Sequence, residues 1–205
     1  MSWKCGVIGY GILQKIFGFH KWHMTPVEQR PYGMEIIKWC NRLLARGIGA
    51  NSGKVIEVGC GLGDIVAKIK TKNSNKVGYD IDEKVIKAAK IIHPGIKFQV
   101  DSFAPDIRGE RILIFIAVNF LYALDSKTVK KEFKKLLTDN DVKYIITETM
   151  YPITPNYPNS HDMDKVLGSD YTCIKKRGFP AAEHSRRYIL LYEKRGKNSE
   201  RQGHI

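Results

Sequence analysis

The chain has 205 residues, which suits one domain because domains usually run to about 100–200 residues. Hydrophobic residues make up 43% and charged residues 27%, as in an ordinary globular protein, and this composition excludes collagen, coiled coils and long disordered chains. No apolar stretch reaches the roughly 18 residues that a spanning helix needs, so the sequence predicts no membrane span.

The charge balance is strongly positive, with 34 Lys+Arg against 21 Asp+Glu and a formal net charge of +13. Such an excess favours an anionic partner: a nucleic acid, an anionic lipid or a phosphorylated small molecule. Most of the basic residues are lysines, however, whereas planar recognition of phosphates and bases favours arginine. Scattered lysines on solvated helix surfaces are therefore the simpler interpretation.

The four cysteines form neither a CxxC pair nor a Cys/His spacing typical of a metal site, so we predict no metal. They are Cys5, Cys40, Cys60 and Cys173. Isolated thiols indicate a reducing compartment, and we expect the protein to be cytoplasmic.

Residues 1–50 are predicted to be helical and to form a lid. Thr25 to Glu28 fits a capping box at the start of a short helix that Pro31 ends. Met34 to Arg46 then places its apolar residues on one helix face. The run Gly6 to Gly11 resembles the start of a nicotinamide-binding motif, but its third glycine and its ribose-binding acid are missing, which indicates a chance match.

From residue 54 onward, predicted strands and helices alternate. The strands are predicted at 54–58, 76–79, 97–100, 111–118 and 142–147, and the helices at 62–69, 82–92 and 126–137. This alternation is typical of an α/β fold with a mostly parallel sheet covered by helices on both faces.

After Glu148 the alternation ends. Residues 150–161 are predicted to be a loop, and the strands predicted at 171–175 and 188–193 have no helix between them, which favours an antiparallel hairpin at the sheet edge. We therefore expect a helical lid over residues 1–50, a core over 51–195 and a flexible tail over 196–205.

The most informative segment runs from Glu57 to Gly63 and has the pattern E-x-G-x-G-x-G at a strand-to-helix turn. Glycine there lets the backbone turn sharply and approach a ligand closely, at the sheet edge where open α/β sheets bind ligands. Asp80 ends the next strand, where a carboxylate can accept both hydroxyls of a ribose. The acid before the first glycine disfavours a diphosphate and suits a ligand with a cationic end, such as S-adenosylmethionine.

On these motifs, residues 54–148 resemble the core of the class I S-adenosylmethionine-dependent methyltransferases. The resemblance implies a single-domain Rossmann-like fold with a seven-stranded sheet in the order 3-2-1-4-5-7-6, S-adenosylmethionine as cofactor and S-adenosylhomocysteine as product. By position, the resemblance assigns cofactor binding to Glu57, Gly59, Gly61, Gly63, Asp80, Ile81, Asp101, Ser102 and Asn119.

Candidates for the acceptor side are less specific. Residues 119–122 occupy the place of the family's Asn/Asp-Pro-Pro-aromatic motif but lack its prolines, which puts amide or base N-methylation in doubt. Imidazoles that titrate near neutral pH and a tyrosine are candidate catalytic groups: His20, His23, Tyr122 and His161. The candidate substrate-binding residues are Trp22, Arg30 and Tyr32, of which Arg30 suits a carboxylate. Each of these residues also has a simpler interpretation in packing, capping or surface exposure.

The predicted function is therefore methyl transfer to an oxygen or nitrogen of a small, anionic metabolite. The N-terminal segment also resembles, loosely, small bacterial methyltransferases of surface-polysaccharide pathways, which modify sugars or their phosphorylated substituents. Two alternatives stay open. One is an RNA methyltransferase that uses the basic stretch 175–201. The other is a membrane-peripheral or scaffolding protein that uses an apolar stripe made of Ile12, Leu13, Ile16 and Phe17. The oligomeric state is left open.

Overall fold

The computed structural model describes residues 3–46, 53–103 and 107–196. The helices are α1 (Trp3–Phe17), α2 (Pro31–Ala45), α3 (Asp64–Lys68), α4 (Glu83–Ile92), α5 (Ser126–Asp139) and α6 (Met163–Leu167). The strands are β1 (Lys54–Val58), β2 (Lys76–Asp80), β3 (Lys97–Val100), β4 (Arg111–Ala117), β5 (Asp141–Tyr151), β6 (Tyr171–Pro180) and β7 (Arg186–Lys194).

All seven strands form one sheet in the order β3-β2-β1-β4-β5-β7-β6. The pairs among β1 to β5 are parallel, whereas β7 runs antiparallel to both β5 and β6. This is the strand order that the family resemblance implied, and the antiparallel hairpin lies at the sheet edge, as the sequence pattern predicted. The carboxyl ends of β1 to β5 and the start of β7 therefore lie together along one end of the strands.

The sheet is covered on both faces. One core cluster joins it to α2, α3 and α4 through side chains such as Ile36 and Val66, and the other joins it to α5 and α6 through side chains such as Phe133 and Met163. Strand β4 is buried along almost its whole length, as its continuous apolar sequence predicted.

The N-terminal region departs from the prediction at two points. Pro31 does not end a helix but begins α2 at its first position, where its fixed φ and missing N–H are tolerated. The capping box predicted at Thr25 to Glu28 is wrong: these residues lead into a short 3₁₀ turn over Val27–Gln29, which has no side-chain cap. The 3₁₀ turn Lys21–Met24 precedes it.

Helix α1 packs on α4 through a small third cluster that includes Leu13, Phe17 and Val85. The predicted apolar stripe is therefore split, since Leu13 and Phe17 face inward while Ile12 and Ile16 are 55% and 66% exposed. The Gly6–Gly11 run lies inside α1 and forms no turn. Across the described part of the chain, no helix is long and apolar enough to span a membrane.

The C-terminal half has longer strands than predicted. β5 continues to Tyr151 because antiparallel pairing with β7 extends as far as Tyr151 opposite Arg186. β6 likewise continues to Pro180, so residues predicted as a long connection belong to the hairpin strands. The short helix α6, capped by the Asp162 side chain, was missed. Most of the predicted tail lies outside the described residues.

Candidate functional site

The turn between β1 and α3 holds three glycines in the left-handed region, with φ of 66° at Gly59, 55° at Gly61 and 80° at Gly63. Residues with a Cβ rarely adopt this conformation. A Cβ at Gly59 would lie 2.6 Å from the Phe120 ring, and one at Gly61 would lie 2.9 Å from His23 Nδ1. The turn therefore requires glycine both for its backbone and for the close approach of neighbouring groups.

Asp80, at the end of β2, joins this turn to the next strand. Its Oδ2 accepts the N–H of Gly61 at 2.8 Å, and its Oδ1 accepts the N–H of Asp82 at 3.0 Å. A carboxylate has about four lone-pair sites, so both oxygens keep capacity for ribose hydroxyls. The structure thus places the predicted ribose acid directly beside the glycine turn.

Two apolar side chains are exposed at the ends of β2 and β3, beside the glycine turn and Asp80. Ile81 is 77% exposed and Val100 is 50% exposed. Asp101 follows Val100; its N–H donates to the Asp80 carbonyl at 3.1 Å, and its Oδ1 accepts the N–H of Ser102 at 2.7 Å. An apolar surface bordered by polar groups can take up a flat heteroaromatic ring.

Glu57 lies beneath the turn and is 3% exposed. Its Oε2 accepts the N–H of Val66 in α3 at 3.0 Å. Burial raises the pKa of Glu57 to about 8, against the lowering effect of this hydrogen bond and of Arg30. The carboxyl group fixes α3 against the turn in this structure, and its contact with a cofactor stays a prediction.

The N-terminal segments are attached to the first residue of α3. The Tyr10 hydroxyl donates to Asp64 Oδ1 at 2.5 Å, and Arg30 Nη2 donates to Asp64 Oδ2 at 3.1 Å. Burial by itself raises the pKa of Asp64, but contacts with His93, Tyr10 and Arg30 outweigh it and hold the pKa below its ordinary value. Arg30, predicted to bind a carboxylate of a ligand, is thus paired with a carboxylate of the chain.

His20 and His23, the two histidines of the N-terminal region, occupy different places. His23 is half-buried with its ring against Gly61, and burial lowers its pKa. His20 is exposed, and its Nδ1 accepts the N–H of Trp22 at 3.3 Å. Trp22 is 69% exposed. The structure therefore brings His23 to the glycine turn, whereas His20 and Trp22 face solvent.

A second group of side chains lies at the ends of β4 and β5 and the start of β7. Asn119 follows β4 in the left-handed region with φ of 72°. The Tyr122 ring packs edge-on against Tyr157, with centroids 5.0 Å apart. The guanidinium of Arg187 lies 4.5 Å from the Tyr32 ring centroid and 5.8 Å from that of Tyr122. Tyr32 and Tyr122 are thus brought together around a residue that the sequence analysis missed.

Arg187 pairs with a second missed residue, Glu148. Arg187 Nη1 donates to Glu148 Oε2 at 2.7 Å, and the two side chains are only 7% and 1% exposed. Burial raises the pKa of Glu148, and the charge of Arg187 opposes that rise. The sequence did offer a signal for this pair: Glu148 directly follows the strand predicted at 142–147, and Arg187 lies at the start of β7.

His161 is buried away from solvent. Its Nε2 lies 2.9 Å from the Leu121 carbonyl oxygen and its Nδ1 lies 3.2 Å from Ser126 Oγ. Both ring nitrogens are therefore engaged within the chain, and His161 holds the turn after β4 against the start of α5. Its predicted catalytic role receives no support from this geometry.

Comparisons of sequence find no match, either to a protein-family model or to a curated protein. Comparisons with solved structures, in contrast, find many matches. The magnesium protoporphyrin IX methyltransferase ChlM of Synechocystis PCC 6803, crystallised with bound S-adenosylmethionine, superposes with a TM-score of 0.63 at 16% identity and covers 91% of each chain. The fold is that of the class I methyltransferases.

A second solved structure agrees with this. The N-methyltransferase NodS of Bradyrhizobium japonicum WM9, in complex with S-adenosylhomocysteine, has a TM-score of 0.66 at 12% identity and covers 92% of this chain and 99% of its own. The predicted fold class, down to the strand order, is confirmed.

Proposed function

We propose that the protein is a cytoplasmic S-adenosylmethionine-dependent methyltransferase that acts on an oxygen or nitrogen of a small, anionic metabolite. The observation that carries the proposal is the contact between the two features expected to bind S-adenosylmethionine. Asp80 accepts a hydrogen bond from the N–H of Gly61 in the left-handed glycine turn. A sugar or a phosphorylated precursor of a surface polysaccharide is the acceptor class that the sequence favoured.

The residues present fit the donor. Asp80 has lone pairs left for ribose hydroxyls, and the exposed side chains of Ile81 and Val100 offer an apolar surface to adenine beside Asp101. When bound, the sulfonium supplies a methyl group that is open to in-line attack. The chain's own contribution is then to orient donor and acceptor and to exclude water.

The N-terminal helices serve as the lid over this site. They reach the glycine turn through three independent contacts: Tyr10 and Arg30 on Asp64, and the His23 ring on Gly61. Asp64 directly follows Gly63, the last glycine of the turn. Donor binding in the turn and closure of the lid are therefore coupled through adjacent residues.

A small acceptor fits the structure better than RNA. The stretch 175–201 was the proposed RNA surface, but three of its nine basic residues, Arg177, Arg187 and Lys194, form ion pairs within the chain. Charges neutralised in this way contribute little to phosphate binding, which depends on free cationic groups.

The test combines donor binding with turnover. Calorimetry with S-adenosylhomocysteine measures donor binding, and release of S-adenosylhomocysteine from S-adenosylmethionine is then measured with three acceptor pools: small metabolites with sugar phosphates, polysaccharide, and total RNA. Turnover with the small metabolites supports the proposal. Turnover with RNA alone overturns the acceptor class, and failure to bind S-adenosylhomocysteine overturns the activity.

A further inference from the structure

The sheet register places Glu148 in the same row as the glycine turn. Val58 of β1 pairs with Ala117 of β4, which pairs with Thr147 of β5. The next residue along each strand is Gly59, Val118 and Glu148. Since neighbouring strands lie about 4.8 Å apart, Glu148 stands roughly 10 Å across the sheet from Gly59.

Glu148 also points to the face that the N-terminal helices cover. Side chains alternate along a strand, and Tyr144 and Ile146 of β5 belong to the core cluster that contains α2. Tyr32, in the first turn of α2, lies over Arg187 on the same side. The Glu148–Arg187 pair is therefore enclosed between the sheet edge and the segment proposed as the lid.

One oxygen of this carboxyl group is unsatisfied. Arg187 occupies Oε2, whereas Oε1 is buried and has no hydrogen-bond partner among residues 3–46, 53–103 and 107–196. A buried polar atom without a partner is destabilising, and such atoms are uncommon in folded proteins. A hydroxyl or amine of a ligand would supply the missing donor.

We infer that Glu148 is the proton acceptor of the reaction and that the nucleophile is a hydroxyl or amine that arrives with its proton. This inference rests on the proposed function. Tyr32, Tyr122 and Tyr157 form the aromatic wall against which the acceptor packs, and Arg187 is a positioning residue that fixes the carboxylate.

The step balances in atoms and electrons. A lone pair of the acceptor oxygen or nitrogen forms the new bond to the methyl carbon. The carbon–sulfur bond breaks, its electron pair stays on sulfur, and S-adenosylhomocysteine results. The acceptor's proton moves to Glu148 Oε1 and passes to solvent after the product leaves. A carboxylate or phosphate nucleophile has no proton to give and would meet the Glu148 charge in a site of low polarity, where like charges repel strongly.

Other candidate bases are placed less well. Both ring nitrogens of His161 are engaged with Leu121 and Ser126, and His23 lies against Gly61 on the donor side. The competing role for Glu148 is structural, because the backbone N–H groups of residues 119–121 lower the pKa of its carboxyl group by hydrogen bonding, although none of them meets the geometry of a hydrogen bond to Oε1.

The first experiment identifies the atom that is methylated. S-adenosylmethionine carrying a trideuterated methyl group is incubated with the wild-type enzyme and a fractionated small-molecule extract of the producing cells, and labelled products are characterised by mass spectrometry and NMR. A labelled ether or methylamine is expected. A labelled methyl ester of a carboxylate or phosphate overturns the inference but leaves methyl transfer standing. Absence of label in every fraction overturns methyl transfer to small molecules, and the inference with it.

The second experiment uses Glu148→Gln, which keeps the shape of the side chain and an oxygen to accept from Arg187. Loss of a general base should lower kcat by about 10²–10⁴-fold with donor affinity unchanged, while Tm falls because the buried Arg187 loses its charged partner. Glu193→Gln is the matched control, since Glu193 accepts a hydrogen bond from the Tyr144 hydroxyl at 2.8 Å toward the other end of the strands. Unchanged kcat in Glu148→Gln, or a loss of kcat no larger than the accompanying loss of S-adenosylhomocysteine affinity, supports the structural role and overturns the inference.

The wild-type pH profile covers the case in which Glu148→Gln does not fold. A base that must be ionised makes kcat rise with pH along a limb of unit slope until it is fully deprotonated. A kcat that does not change with pH across the acidic and neutral range overturns the inference without any variant.

Discussion

The two halves of the proposed site are built differently along the chain. The donor half uses neighbouring segments: the glycine turn, the end of β2 and the end of β3 all lie between residues 57 and 103. The acceptor half gathers Tyr32, Tyr122, Glu148 and Arg187 from four distant segments, joined by β5–β7 pairing and by the packing of α2. The donor half therefore depends on contacts between segments close in sequence, whereas the acceptor half depends on long-range contacts.

The largest effect is expected for Asp80→Ala in the donor half. It removes the proposed hydrogen bonds to the ribose, and since bonds to a charged group contribute about 1.5–3 kcal/mol each, S-adenosylhomocysteine affinity should fall about 100-fold or more. Calorimetry measures the affinity, and urea unfolding measures the accompanying loss of the contacts with Gly61 and Asp82.

The neighbouring variant Asp82→Ala is the control. It removes the cap that Asp82 provides to the Lys84 N–H at 2.8 Å, which should cost about 1 kcal/mol of stability, and it leaves the Asp80 carboxylate in place. Equal losses of affinity and stability in Asp80→Ala, or a loss of affinity in Asp82→Ala, would contradict the ribose role.

The difference between the two halves also explains which site residues could be predicted from the sequence and which could not. The alternation of strands and helices, the glycine turn and Asp80 follow from patterns within short windows of sequence and were predicted from them, whereas the strand order was implied by the family resemblance that these motifs carry. Arg187 and Glu148 were not predicted, because a basic residue near a strand start and an acid near a strand end carry no sign of each other until β7 pairs with β5. Arg30 was identified, but only the packed N-terminus shows its partner, Asp64.

A second prediction concerns pH and the buried acid of the donor half. Burial raises the pKa of Glu57 to about 8 from an ordinary value of 4.5, so between these values the folded state holds a proton that the unfolded state has lost. This contribution to stability is fully present at low pH and disappears as pH rises through the interval. The slope for one proton is at most about 1.4 kcal/mol per pH unit.

Glu57→Gln isolates this contribution. The variant keeps a group that can accept from the Val66 N–H but does not titrate. The difference in unfolding free energy between wild type and variant, measured in urea across the interval, should shift steadily in favour of the variant as pH rises. A difference that is constant with pH would show that Glu57 is already ionised in the folded protein.

A third prediction separates the two reasons for glycine in the turn. Gly59→Ala and Gly109→Ala both place a Cβ in the left-handed region, at φ of 66° and 68°, which costs about 1–2 kcal/mol each. At Gly59 the Cβ also meets the Phe120 ring at 2.6 Å, whereas at Gly109 nothing lies within 4 Å. Gly59→Ala should therefore also weaken S-adenosylhomocysteine binding, by roughly tenfold or about 1.4 kcal/mol, while Gly109→Ala leaves it unchanged. Similar affinities in the two variants would show that Phe120 does not shape the donor site.

The smallest effect is expected where the proposed lid meets the donor half. Tyr10→Phe removes the 2.5 Å hydrogen bond to Asp64. The control, Tyr144→Phe, removes a similar bond to Glu193 at 2.8 Å toward the opposite end of the strands, away from the site. Each should lower stability by about 1 kcal/mol. Only Tyr10→Phe should also speed dissociation of S-adenosylhomocysteine and expose the N-terminal segment to native-state proteolysis, because local opening follows the contacts that hold a segment down. Equal protection of the N-terminus in both variants would mean that Arg30 alone holds the lid on Asp64, and the contact made by α1 would then belong to folding rather than to closure.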